Sequence, residues 1–262
     1  ILNTIIDFKT NVVKENQRAV PMEALKEMAK QQAPTKGFFE ALTKSNSARK
    51  PAVIAECKKG SPSKGIIVPD YKAEKIAVDY EKAGATCLSV LTDTKFFHGA
   101  NKDLNSVKEV CKLPILRKDF IIDPYQVYET RAIGADCILL IISCLSDGLL
   151  DELFNISLEI GLDVLVEIHD RKELERALRL RSPLIGINNR NLKVFETNIS
   201  NTINLLKDIP SDRLIVSESG IATREDVKTL QANGVNCFLI GETFLRSPNP
   251  FDKVRELFPE LN

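Results

Sequence analysis

The chain is 262 residues long, with 36 Lys and Arg balanced by 36 Asp and Glu, two His, six Cys, no Trp and 44% hydrophobic residues. Zero net charge argues against nucleic acid or a membrane surface as the main partner, and the apolar fraction excludes a disordered chain. This length buries a large core without disulfides or metals, and α/β barrels run to about 250 residues as one unit.

The first segment, through about residue 45, reads as helical: Leu2, Ile5, Ile6, Val12 and Val13 recur at helical spacing, Pro21 opens a second helix, and Phe38, Phe39 and Leu42 suggest a third. The opening ILNTIIDFKTNVV is too polar for the apolar core of a signal peptide, and no run approaches 18 apolar residues, so no membrane span is expected. From Lys50 onward, short apolar runs alternate with longer charged segments of helical period, the pattern of βα units around a parallel sheet. Eight strands are expected, at 52–58, 87–92, 114–120, 136–142, 163–168, 184–189, 213–219 and 236–241, with helices such as 71–83, 124–133 and 223–233 between them. Gly84, Gly134 and Gly234 each precede a buried run by two residues, as helix-ending glycines would. Eight units in this length, with no GxGxxG after the first strand, predict a closed (β/α)8 TIM barrel over 49–262. The helical extension over 1–48 would pack on it as part of one structural domain. Thr223 to Asp226 reads as a capping box for the seventh helix of the barrel.

The cysteines at 57, 87, 111, 137, 144 and 237 form no CxxC and no zinc spacing, which points to a reducing, cytoplasmic setting and no metal. The two histidines, His98 and His169, lie beyond strands two and five and read as surface residues, leaving little room for a histidine-based triad.

Buried parallel strands should be apolar throughout. Several here end in polar residues: Glu56 and Lys58, Lys118, Glu167, Asn188 and Arg190, Glu218 and Ser219. All sit at C-terminal strand ends, the catalytic face of barrel enzymes. Period-two alternation puts Glu56 and Lys58 on one face and Cys57 on the other. Three cations and three carboxylates on one rim suit proton transfer without histidine, through a lysine lowered toward neutrality and a carboxylate that accepts. Alone, a rim salt-bridge network would explain the same charges. Gly220 and Gly241, after strands seven and eight, and the GSPSKG loop at 60–65 are placed to receive a phosphate, although turn formation also explains them. Phe96, Phe97 and Phe120 near the inferred mouth offer an apolar wall.

At these residues the chain resembles the indole-3-glycerol phosphate synthases of tryptophan biosynthesis, through ECKKGSPSKG (56–65), SVLTDTKFFHG (89–99), ILRKDFIIDPYQVYE (115–129), LVEIHD (165–170), IGINNRNL (185–192), VSESGI (216–221) and FLIGETF (238–244). The resemblance implies a barrel with a helical extension that converts 1-(2-carboxyphenylamino)-1-deoxyribulose 5-phosphate to indole glycerol phosphate, CO2 and water, with no cofactor. It implies Lys118 as general acid, Glu167 as general base in the final dehydration, and Lys58 as a substrate-anion contact that shares the acid role. Glu56 and Glu218 would orient the lysines, while Asn188 and Ser219 hold substrate hydroxyls or the intermediate. Arg190 and Ser61 join the substrate contacts, Gly220, Gly241 and the amide of Glu242 the phosphate, and Phe97, Phe120, Leu139 and Leu192 the anthranilate pocket. Glu242 departs from relatives with Ser after that glycine, and its carboxylate is expected to turn to solvent. The only partner implied is the small phosphorylated substrate; protein partners are left open. Two other readings compete: a class I phosphosugar aldolase with Lys118 as Schiff-base nucleophile, and a barrel that binds a phosphorylated ligand without catalysis.

Overall fold

The computed structural model describes residues 2–191 and 196–261. Eight parallel strands close into a barrel: β1 (Ala52–Cys57), β2 (Cys87–Leu91), β3 (Ile115–Lys118), β4 (Cys137–Ile141), β5 (Asp163–Ile168), β6 (Leu184–Asn188), β7 (Leu214–Glu218) and β8 (Cys237–Ile240), with β8 pairing back onto β1. Every expected strand is present, β5 at its expected bounds and the others shorter by one to three residues. The GSPSKG segment, read as a loop, folds instead into a small antiparallel hairpin, Gly60–Ser61 against Gly65–Ile66.

Three helices precede the barrel: α1 (Leu2–Ala19), α2 (Met22–Lys30) and α3 (Phe38–Ser47). Those that follow are α4 (Ala73–Ala83), α5 (Asn101–Val110), α6 (Pro124–Ala132), α7 (Asp147–Glu159), α8 (Arg171–Ala177), α9 (Ser200–Leu206), α10 (Arg224–Ala232), α11 (Glu242–Leu245) and α12 (Pro250–Leu257). Asp123, Ser146, Asp170 and Thr223 accept backbone N–H bonds at the N-termini of α6, α7, α8 and α10, and the Thr223–Asp226 capping box is formed. Gly84, Gly134 and Gly234 take left-handed φ of 96°, 89° and 86°, which turns each helix into its following strand within three residues. None of the described helices is long and apolar enough to cross a membrane.

The extension runs along the barrel from one end to the other. At the N-terminal end of the strands, α3 seals the interior: Phe38 and Leu42 are fully buried against Ile54, Leu116 and Leu165. There the Phe39 amide donates to Asp163 at the start of β5, and the Lys36 amide to Asp136 just before β4. At the opposite end, α1 sends Lys9 to Asp93 and Asp119, at 2.9 and 2.7 Å, beyond β2 and β3.

Candidate active site

Inside a (β/α)8 barrel, side chains stack in layers drawn from alternate strands. Ile54, Leu116, Leu165 and Val216, from β1, β3, β5 and β7, are all buried in the interior cluster. Two residues further along each strand, on the same face, come Glu56, Lys118, Glu167 and Glu218. The C-terminal end of the barrel is thus a core layer in which four apolar positions are replaced by three acids and a lysine. Gly186 on β6 makes room for it, since a Cβ there would collide with the Glu218 carboxyl.

Glu56, Lys118 and Glu167 of this layer floor a cavity of about 560 Å³, a volume that suits a small organic substrate. Lys118 Nζ lies 3.4 Å from Glu56 and 3.8 Å from Glu218, and Lys58 Nζ lies 3.0 Å from the other Glu56 oxygen. Ser89 Oγ donates to Glu56 at 3.1 Å, and Asn188 Nδ2 to Glu167 at 3.1 Å. Burial alone would raise Glu56, but Lys118, Lys58 and the Ser89 hydroxyl pull its pKa down to about 2. Burial would likewise lower the Lys118 ammonium, yet Glu56, Glu218 and Glu167 together hold it above the usual lysine range. The expectation of a lysine drawn toward neutrality is therefore wrong: the acids around it, Glu56 foremost, outweigh desolvation, and Lys118 is a cation at neutral pH.

The acids separate into two states. Burial would raise Glu167, but Lys118 and His169 keep it below the ordinary range. Burial, and then the charge of Glu167, push Glu218 well above that range, so Glu218 carries the proton of the pair. A proton held in the fold and released on unfolding costs stability as pH rises above the ordinary value of 4.5, until the folded pKa is passed. Glu218→Gln, neutral at every pH, should therefore melt higher than the parent at pH 8 and equal it near pH 4. Thermal melts across that range, followed by circular dichroism, check this; a variant that melts lower at pH 8 would show Glu218 to be ionised.

Around this floor the other expected residues divide. Phe97, Phe120 and Leu139 line the cavity on the side of β2 to β4, the two rings 6.1 Å apart and tilted. Phe96 does not join them; it meets Phe8 of α1 edge to face under the Lys95 ammonium. Leu192 lies outside the described residues. Arg190, Ser219, Gly220, Gly241 and Glu242 line the opposite side, near β7 and β8. Ser61 is buried behind the wall, 3.5 Å from Ser63, and Ser63 lines the cavity in its place. Glu218 also lies behind the wall, against Lys118. Cys57 points away into the outer core, as alternation requires, and burial pushes its thiol up, beyond use as a nucleophile.

Two expectations need correction. The Glu242 carboxylate does not turn to solvent: it faces the cavity, bound to Arg190 at 3.1 Å and Arg246 at 2.9 Å, with Lys64 at 3.8 Å, because three cations converge there. His169 is not a surface residue: its ring is wedged between Glu167 and Glu173, at 3.6 and 3.0 Å. His98, by contrast, is exposed as expected. The sequence reading also passed over Asp119 and Arg117, neighbours of Lys118. Asp119 reaches the cavity wall, where Lys9, Arg117 and Thr92 overcome the effect of burial and keep it ionised.

Comparison with known proteins agrees with this geometry. The family model of indole-3-glycerol phosphate synthase matches residues 2–257. The indole-3-glycerol phosphate synthase of Polaromonas sp. (strain JS666 / ATCC BAA-500) is 49% identical over 258 residues, which is 98% of each chain. Among solved structures, 3-hexulose-6-phosphate synthase from Salmonella typhimurium shares the fold at TM-score 0.63 and 13% identity, over 80% of this chain and 98% of its own. A mutant tryptophan synthase α-subunit from Pyrococcus furiosus does so at TM-score 0.60 and 14% identity, over 80% and 99%. By family model and by near half identity along its length, the chain belongs to the indole-3-glycerol phosphate synthase family.

Proposed function

We propose that the chain closes the indole ring of 1-(2-carboxyphenylamino)-1-deoxyribulose 5-phosphate by acid–base catalysis in the cavity above the charged layer. The observation that carries the assignment of roles is geometric: Lys118 sits between Glu56 and Glu218 at 3.4 and 3.8 Å, and Glu167, held by Asn188, lines the same cavity. The substrate phosphate lies toward Arg190, Gly220 and Gly241, and the anthranilate ring toward Phe97, Phe120 and Leu139. Anchoring both ends folds a flexible chain into attack geometry, a proximity effect. As the ring carbon bearing the carboxylate attacks the ketone, the oxygen becomes strongly basic and takes a proton from Lys118. Loss of CO2 returns its electron pair to the ring. In the dehydration, Glu167 removes a proton from the carbon next to the ring nitrogen, and the hydroxyl on the adjacent carbon takes a proton from the Lys58 ammonium and leaves as water, with Asn188 and Ser219 as hydroxyl contacts.

The persistent charge on Lys118 counts against the aldolase reading, because a Schiff-base nucleophile must be a neutral amine. A purely binding barrel has no use for four ionisable groups in a core layer. All six cysteines are unpaired and five are buried, which supports a reducing compartment and hence the cytoplasm.

The assay is direct. The protein lacks Trp, so indole fluorescence that grows with enzyme and substrate reports product alone; folded protein without that signal would refute the activity. Glu167→Gln should lower kcat by about 10²-fold or more, with the melting curve retained. Near-normal turnover in that variant would remove Glu167 from the base role.

A further inference from the structure

His169 has no part in the chemistry above, yet it is held as firmly as the groups that do. It lies between the end of β5 and Asp170, the cap of α8. Glu173 Oε2 accepts both its backbone N–H, at 2.7 Å, and its ring Nδ1, at 3.0 Å. Asn201 of α9 donates to its carbonyl at 2.9 Å. Gripped at these points, the ring turns Nε2 inward, where it is buried without a hydrogen-bond partner, 3.6 Å from Glu167 Oε1. The charged groups facing the ring are Glu167 from β5, Glu173 from α8 and Asp170 at its start, and the neutral Cys144 thiol beyond β4 lies near both glutamates.

We propose that His169 is a positioning residue for Glu167, an imidazolium bridging Glu167 and Glu173 that keeps the base charged and aimed at the cavity. The proposal rests on Glu167 acting as base. Its logic lies in the order of events. Lys118 is the strongest counter-charge to Glu167 before reaction. When Lys118 gives up its proton to the substrate, that support is withdrawn just before Glu167 must act. Glu218, which holds a proton beside Glu167, is then placed to pass it to Glu167 and neutralise the base. A second cation that takes no part in the ring closure keeps Glu167 ionised through the cycle. Desolvation works against a charged His169, but its bond to Glu173 and the two glutamate charges overcome it.

The test has two arms. The chain has only two histidines, so two imidazole Cε1–H signals titrate in its proton NMR spectrum, and His169→Asn assigns them. In Glu167→Gln and in Glu173→Gln, the His169 midpoint should fall while that of exposed His98 stays in place. In His169→Asn, the acid limb of the kcat/KM profile should move up by about one pH unit, the effect of removing a counter-charge 4–6 Å or less from a carboxylate, with turnover approaching the parent's at alkaline pH. A role in packing alone would lower activity evenly at all pH. A His169 midpoint indifferent to Glu167→Gln, or an acid limb unmoved in folded His169→Asn, overturns the proposal. If the folded parent makes no indole product, the assigned activity fails, and the substrate-free titrations still decide whether His169 and Glu167 are paired.

Discussion

Lys118→Ala is expected to lower kcat by about 10³-fold at neutral pH, with much the smaller change in KM. The ammonium is the one cation in the layer, partly buried and beside two acids, Glu56 and Glu218. Its charge matters most where negative charge develops, on the ketone oxygen during attack, so its loss falls on the transition state. The fold should survive because the acids keep other partners: Glu56 retains Lys58 and Ser89, and Glu167 retains Asn188 and His169. Lys118→Arg separates charge from proton donation. Guanidinium restores the positive charge but does not deprotonate in proteins, so stability should return while turnover stays low. Near-normal turnover in the arginine variant, measured by indole fluorescence beside a thermal melt, would make the role electrostatic and move proton donation to Lys58.

The barrel was legible because its strands obey simple rules. Runs such as CILLI and VLV are apolar through the buried length, most strands turn polar near their C-terminal ends, and a Gly-x-x-Cys echo recurs at the helix exits at Gly84, Gly134 and Gly234. The layer Glu56, Lys118, Glu167 and Glu218 follows from period two once the strands are placed. What escaped the sequence depends on contacts across long separations or on the far face of a strand. Lys9 meets Asp93 and Asp119 more than 80 residues away, and no local pattern announces that. His169 carried one readable signal, an i,i+4 partner in Glu173, but its value depended on knowing that α8 starts at Arg171 and tilts the ring inward. Glu242 looked like a solvent residue because its three cations come from the hairpin after β1, the segment after β6 and α11's own end. Arg117 was overlooked because alternation sends it away from the cavity, and a charge pointing out of a barrel is ordinarily solvated.

Arg117 is in fact buried among helices, and Arg117→Met should be strongly destabilising. Its guanidinium donates to Glu129 at 2.8 Å, Thr92 at 3.0 Å, Asn101 and Thr130 at 3.1 Å and the Gln126 carbonyl at 3.2 Å, with Asp119 3.7 Å away. It therefore ties β3 to α5 and α6 and to the ends of β2 and β3, beside the cavity. Methionine fills much of the volume but leaves Glu129 buried with an uncompensated charge. Breaking one side of such a pair costs about 3–5 kcal/mol, which at about 2–4 °C per kcal/mol lowers the melting temperature by about 6–20 °C. Lysine keeps the charge but not the planar fork, so Arg117→Lys should recover only part of the loss. Adding Glu129→Met to Arg117→Met removes the stranded carboxylate and should return stability toward the parent, because a buried pair costs more when halved than when removed whole. Denaturant melts of the four proteins in that cycle measure the coupling. If Arg117→Met alone melts with the parent, the network is not what holds β3 against its helices, and the fixed height of Lys118 in the layer must be set by the barrel's own packing.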